Sequence, residues 1–231
     1  MPDIQTTIPS ASRDSATADP ASSGLHVQYG CGLCAPPSWL NFDASPTLRL
    51  QRIPLIGRFI TRHRVQFPPN VRCGDIIKGL PIPPESCAAI YCSHILEHLS
   101  REDFRTALAN TLRHLRPGGI FRLVLPDLEA LIQAYVNSTD PQPALHFVES
   151  TSLGRKRQPR GMKNVIIDWL SNDYHLWMWD YRSLAVELQN AGFTSIRKCF
   201  LGDAADPLFR DVESEARFQL AVAIECARPA R

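Results

Sequence analysis

Apolar and polar positions alternate at residues 25–29, with Leu25, Val27 and Tyr29 set against His26 and Gln28, which is the two-residue period of a half-buried strand. The run breaks at Gly30-Cys31-Gly32, and a second short run at residues 39–42 ends in Asp43. A third, residues 70–73, ends in Gly74-Asp75-Ile76. Residues 87–92 (CAAIYC) are apolar almost without interruption, as a central parallel strand covered on both faces has to be. The period then changes: Ser100 is an N-cap residue, Phe104, Leu108, Leu112 and Leu115 share one helical face, and Pro117-Gly118-Gly119 stops the run. Residues 120–125 predict the next buried strand, and Asp127 caps a helix to Val136. Asp180 caps another helix to Ala191, with Gly192 as its stop. Residues 193–200 and 217–226 predict two closing strands, antiparallel to each other, joined by the acidic loop 201–215. Strands alternating with helices in this way predict a parallel α/β sheet.

Three stretches fall outside that rhythm. Residues 1–24 are rich in Ser, Thr, Ala, Asp and Pro without periodicity and predict a disordered tail, leaving 25–231 as one domain with a sizeable core. Residues 46–67 carry five arginines (Arg49, Arg52, Arg58, Arg62, Arg64) and no acid among regularly placed apolar positions. They read as a helix interrupted at Pro54 that covers the sheet with a solvated basic face, the sharper alternative being peripheral contact with a membrane surface or an anionic substrate. Residues 138–173 mix prolines with Arg155, Lys156, Arg157, Arg160 and Lys163 and are too long for a plain connection, so they predict a lid or a mobile insertion. As a lid, Arg155, Arg157 and Lys163 would recruit an anionic acceptor and closure would exclude water.

A formal net charge of +2 implies no particular partner, and no apolar run reaches the length of a transmembrane segment. The start of the chain lacks a charged-then-apolar signal pattern, which predicts a cytoplasmic protein. Seven cysteines, an odd number spread through strand-like stretches, fit reduced and mostly buried thiols. Cys31-x-x-Cys34 has neither a second pair at zinc-ribbon spacing nor the helix that a redox motif opens, so no metal site is expected. The basic residues form two local clusters outside any recognised binding module, and nucleic acid is not an expected partner.

The chemistry gathers at strand ends. In an open parallel sheet, ligands bind outside the carboxyl ends of the strands, so the glycine turn, Asp43 and Asp75 face one crevice. The segment from Gly30 to Ala35 formally matches a dinucleotide fingerprint, yet only Pro36, Pro37 and Ser38 separate it from the next strand. No helix fits there to hold a diphosphate, which favours a cofactor with a ribose and no phosphate over a nicotinamide-dependent oxidoreductase. A glycine turn that binds nothing is the bland alternative.

The ordered set GCG, WLNFD, GDI, IYCSHILEHL, LRPGGIFRLVLPD and AGF resembles a class I S-adenosylmethionine-dependent methyltransferase over residues 25–227. It is closest to the small-molecule group of that superfamily often found with polysaccharide and cell-envelope biosynthesis. The resemblance implies a Rossmann-like, seven-stranded, mostly parallel sheet of order 3-2-1-4-5-7-6, with strand 7 antiparallel and helices on both faces. It implies S-adenosyl-L-methionine as cofactor. Gly30 and Gly32 then form the cofactor turn with backbone from Tyr29 and Cys31; Asp43 takes the ribose hydroxyls; Asp75 and Ile76 see the adenine; Cys92, Ser93 and His94 line the methionine end. This chain departs from the pattern in its short connection after the glycines, with Cys34 where a further glycine is common. A sulfonium is already an activated methyl donor, so alignment supplies most of the acceleration, and His94 or His98 can serve as base toward a hydroxyl acceptor. Tyr91 and Glu97 read as structural, and the aromatic cluster His175, Trp177, Trp179 and Tyr181 reads as a sugar-stacking face or as core. The expected activity is methylation of a small molecule such as a saccharide or cell-envelope precursor; the alternative is an inactive cofactor-binding subunit of a partner enzyme.

Overall fold

Seven strands form one sheet in the order β3-β2-β1-β4-β5-β7-β6 in the computed structural model, which describes residues 24–55, 57, 65–154 and 174–230. The expected tail up to residue 23, the basic positions Arg58, Arg62 and Arg64, and Arg155, Lys156, Arg157, Arg160 and Lys163 of the insertion lie outside the described residues. The strands are β1 (Leu25–Tyr29), β2 (Leu40–Asp43), β3 (Val71–Cys73), β4 (Cys87–Ser93), β5 (Leu115–Pro126), β6 (Thr194–Lys198) and β7 (Ala221–Ala227). β1 to β5 pair in parallel, and β7 runs antiparallel to both β5 and β6. This is the order, with β7 antiparallel, that the resemblance implied. Among the described residues no helix is long and apolar enough to cross a membrane.

One face of the sheet is covered by α2 (Arg101–His114) and α5 (Tyr181–Ala191), numbered after the short α1 (Pro46–Gln51) and the hairpin α3 (Leu128–Val136) and α4 (Pro143–Ser150). α2 starts where Ser100 Oγ accepts from Asp103 N at 3.2 Å, and it buries Phe104, Ala107, Leu108, Thr111 and His114, a stripe at helical spacing. α5 opens on a capping box between Asp180 and Ser183 and stops at Gly192, whose φ of 98° is left-handed. Val27, Tyr29, Ile90, Cys92, Phe121 and Leu123 of the sheet meet Phe104, Leu108, Leu184 and Leu188 from these helices. Each such large apolar side chain contributes about 1.5–3 kcal/mol by leaving water.

Two boundaries differ by more than two residues from the periodic pattern. α2 stops at His114, and β5 already begins at Leu115 instead of Ile120: Cys87 pairs with Leu115 and Ala89 with Ile120, so Pro117-Gly118-Gly119 is a bulge within the strand, with Gly118 at φ 73°. β7 begins at Ala221 instead of Arg217, which belongs to a single helical turn, α6 (Glu215–Phe218).

The opposite face carries no helix between β1 and β2, because Pro36 and Pro37 fill the connection. The segment following β6 covers it instead. Trp39, Tyr91 and Val124 pack against Phe209 and Val212, and the Trp39 indole donates to Leu208 O at 3.0 Å. Arg122 of β5 pins this cover from beneath. Its side chain is fully buried, 2.6 Å from Glu213, 2.9 Å from Asp203 and 2.7 Å from Glu225, with its guanidinium 5.3 Å from the centre of the Phe209 ring. Burial alone would discourage the charge, and the hydrogen bonds it donates to Glu225, Asp203 and Glu213 more than offset it, raising its affinity for the proton.

Candidate active site

Register puts the chemistry in one row. Tyr29 pairs with Phe42 and with Cys92, so Gly30, Asp43 and Ser93 follow side by side at the carboxyl ends of β1, β2 and β4. Gly30 (φ 65°) and Gly32 (φ 55°) are both left-handed. A Cβ on Gly30 would lie 2.1 Å from Ile95 Cγ1, whereas one on Gly32 would meet nothing within 4 Å. Packing therefore requires the first glycine, while the second leaves backbone open to the crevice.

Asp43 closes this turn. Its Oδ2 accepts from Gly32 N at 3.0 Å and its Oδ1 from Ser45 N at 2.8 Å, and the residue is 7% exposed. Each oxygen keeps a further lone pair for a hydroxyl. Gly74 N donates to Asp43 O at 3.0 Å and brings Asp75 alongside. Asp75 Oδ1 accepts from Ile77 N at 3.0 Å, and its Oδ2 lies 4.0 Å from Arg49 and 3.9 Å from Lys78, outside hydrogen-bond range. Ile76 is buried, with its carbonyl held by Asn110 Nδ2 at 2.8 Å, so its backbone amide is what it has to offer. Of the residues assigned to the methionine end, Cys92 points its thiol into the α2 core and reaches the crevice only through backbone. Tyr29 does the same, its hydroxyl lying 3.3 Å from Thr111 Oγ1.

Beneath the turn is a pocket of about 140 Å³ whose walls include Gly30, Cys34, Tyr91, Ser93, Ser214 and Arg217. The Tyr91 and Ser93 hydroxyls are buried here without a hydrogen bond among the described residues. Arg217 is the residue that periodicity misplaced. Its guanidinium makes no ion pair or hydrogen bond among the described residues, and its positive charge acts on Cys34, Tyr91 and Cys92. Cys31 is pushed up to about 12 by burial and by the Asp43 carboxylate, and burial also raises Cys34, so both thiols stay protonated and make poor nucleophiles.

His94 has a left-handed φ of 54°, an uncommon conformation for a residue with a side chain, at the end of β4. Its Nε2 lies 2.8 Å from Arg217 O and its Nδ1 3.5 Å from Glu97 Oε1, so both ring nitrogens face acceptors. A 3-10 turn, Leu96–His98, follows. His98 Nδ1 donates to Tyr174 O at 2.9 Å, leaving Nε2 unprotonated in the neutral ring. Its ring meets that of His175 edge to face at 5.0 Å. Glu97, a structural residue by sequence, is 1% exposed at the centre of these imidazoles. Burial lowers the proton affinity of His175.

The aromatic cluster divides. Trp179 is core, stacked on Phe104 at 4.3 Å, while Trp177 stays 43% exposed with the Arg101 guanidinium 6.0 Å from its ring. A wider hollow of about 620 Å³, lined by Glu85, Leu112, Arg113 and Arg228, lies at the opposite, amino ends of the parallel strands, away from these groups. Sheet topology favours the smaller pocket as the site.

Residues 27–123 match a family model described as a methyltransferase domain. No curated protein matches the chain. Solved structures similar to it include the CurJ carbon methyltransferase, 14% identical, covering 93% of this chain and 50% of that one at a TM-score of 0.47. A SAM-dependent methyltransferase of Thermotoga maritima, described as a possible histamine N-methyltransferase, is 16% identical over 89% of this chain and 83% of its own, at 0.48. Human N-acetylserotonin methyltransferase in complex with SAM is 14% identical over 90% of this chain and 48% of its own, at 0.45. The chain thus spans about half the length of the CurJ and human proteins.

Proposed function

We propose that residues 27–123, which match the methyltransferase domain model, are part of a methyltransferase domain of class I topology, and that the chain binds S-adenosyl-L-methionine along Gly30, Asp43 and Asp75 and transfers its methyl group to a small molecule. The observation that carries this reading is the row of strand ends, where an open glycine turn, a buried carboxylate and a second carboxylate stand on adjacent strands. That spacing suits a ribose next to an adenine, and the helix-free connection gives a diphosphate no anchor. The buried Tyr91 and Ser93 hydroxyls and the Arg217 guanidinium in the pocket fit the amino-acid end of the same cofactor. In this reading Asp43 accepts from the ribose hydroxyls, Asp75 from the adenine amino group with the Ile76 amide against the ring, and Arg217 donates to the methionine carboxylate in place of the missing helix.

When bound, the sulfonium supplies an activated methyl group. The residues of the chain hold the acceptor in line and exclude water. For a hydroxyl acceptor, His98 offers Nε2 as base while Nδ1 stays bonded to Tyr174 O, whereas His94 has to release Arg217 O before it takes a proton. A saccharide or cell-envelope precursor is the acceptor class we favour, from the kinship of the motifs described above.

Calorimetric titration with S-adenosylmethionine, S-adenosylhomocysteine and a nicotinamide dinucleotide tests the reading. The first two bind and the third does not. Tight dinucleotide binding, or none of the three binding, overturns it. If the first two bind yet no S-adenosylhomocysteine forms with any saccharide or lipid-linked acceptor, the chain is a cofactor-binding subunit instead.

A further inference from the structure

We propose that Glu97, His98 and His175 bind one divalent transition-metal ion of the zinc class. The three residues each offer a ligand atom, and these atoms lie within 4.8 Å of one another. Glu97 and His98 come from the turn after β4. His175 comes from the segment that follows the insertion, which is sewn to that turn because Leu176 N and Trp177 N both donate to Glu97 O, at 2.8 and 3.0 Å.

A second, independent observation points to a cation. Glu97 is 1% exposed, and neither carboxylate oxygen accepts a hydrogen bond among the described residues. The nearest imidazole nitrogens among the described residues are His94 Nδ1 at 3.5 Å and His175 Nε2 at 3.9 Å, too far for good hydrogen bonds. A carboxylate so deep needs its charge matched, and the surrounding imidazoles supply lone pairs for the same ion. The donor from His98 Nδ1 to Tyr174 O is the outer hydrogen bond that metal-ligating histidines commonly make, since it frees Nε2 and fixes the ring.

Two imidazoles and a carboxylate select zinc, cobalt, nickel or ferrous iron over magnesium or calcium, which prefer all-oxygen shells. Three protein ligands leave a tetrahedral ion one position for water or an acceptor oxygen. His98 is then a ligand and the base role falls to His94. The site stands whether or not the cofactor assignment does, because its test needs no cofactor.

The test uses the full chain, stripped with chelator and titrated with Zn²⁺ against a chromogenic chelator, in wild type, in Cys34→Ser/Cys73→Ser to remove the exposed thiols, and in His98→Asn/His175→Asn. Wild type and the cysteine variant should bind one ion per chain, and the histidine variant should bind at least ~100-fold more weakly. Circular dichroism and thermal unfolding of the metal-free proteins establish that the variants fold. Should the histidine variant not fold, Co²⁺ added to wild type decides alone: a d–d spectrum without a thiolate charge-transfer band supports the site. No stoichiometric binding, a thiolate band, or unchanged affinity in a folded histidine variant overturns it.

Discussion

Arg122→Met removes a fully buried cation from the centre of three carboxylates, and the surrounding contacts say where the cost falls. Arg122 donates twice to Glu213, at 2.9 and 2.6 Å, and once each to Asp203, Glu225 and Phe200 O. Asp203 and Glu225 keep Arg197, at 2.8 and 2.7 Å, after the substitution. Among the described residues Glu213 keeps only the Gly202 amide at 2.9 Å, and its side chain is 1% exposed. The loss is that of a broken buried pair, about 3–5 kcal/mol, and it sits mainly on Glu213. Adding Glu213→Leu to Arg122→Met should therefore recover a large share of it, while Glu213→Gln alone, which leaves Arg122 its other partners, should cost only about 1–2 kcal/mol. Urea unfolding followed by circular dichroism measures all three. A loss under about 1 kcal/mol for Arg122→Met, or a double variant no more stable than the single one, refutes the reasoning.

Arg217→Met should weaken S-adenosylhomocysteine by roughly 10- to 150-fold while leaving methylthioadenosine, which lacks the carboxylate, unchanged; an equal loss for both ligands would move Arg217 out of the methionine end. Asp43→Ala should weaken S-adenosylmethionine and S-adenosylhomocysteine alike, by on the order of 1.5–3 kcal/mol in calorimetry, and should also lower the melting temperature of the free protein because Gly32 N and Ser45 N lose their acceptor. Asp75→Asn, whose amide oxygen can still accept, should bind cofactor better than Asp75→Ala, and the reverse order would break the adenine assignment. His114 accepts from Leu80 N at 3.2 Å, and burial holds it below its ordinary 6.5, so the unfolded chain takes up the proton first. Its contribution is intact above about pH 6.5 and lost as pH falls below that, so His114→Gln should flatten the decline of melting temperature between about pH 7 and pH 5.

The sheet and the strand ends of the candidate site are legible in the sequence because each depends on short spans. Asp43 and Asp75 both end strands, and a strand end is a local statement about the crevice in a parallel sheet. Pro117-Gly118-Gly119 reads as a break on local propensity, and pairing with β4 overrides it as a bulge. Arg217 was misread for a related reason: nothing in its neighbourhood tells that the segment after β6 folds back over β1. The spacing of His94, Glu97 and His98 is visible, but the third imidazole, His175, is 77 positions after His98, and nothing in the sequence shows that Glu97 is left without a hydrogen bond among the described residues.

The cover over β1 and β5 also sets a clock during synthesis. Strands β1 to β5 can assemble as soon as they leave the ribosome, yet His26 waits for Asp206, 180 residues later, and Arg122 for Glu225, 103 residues later. At ~5–20 residues per second that second wait lasts roughly 5–20 seconds, with Trp39, Tyr91 and a bare guanidinium facing water or a chaperone. Any stall or truncation before Asp203 leaves a nascent sheet with an aromatic flank and an unmatched positive charge, and quality control has that interval in which to engage it.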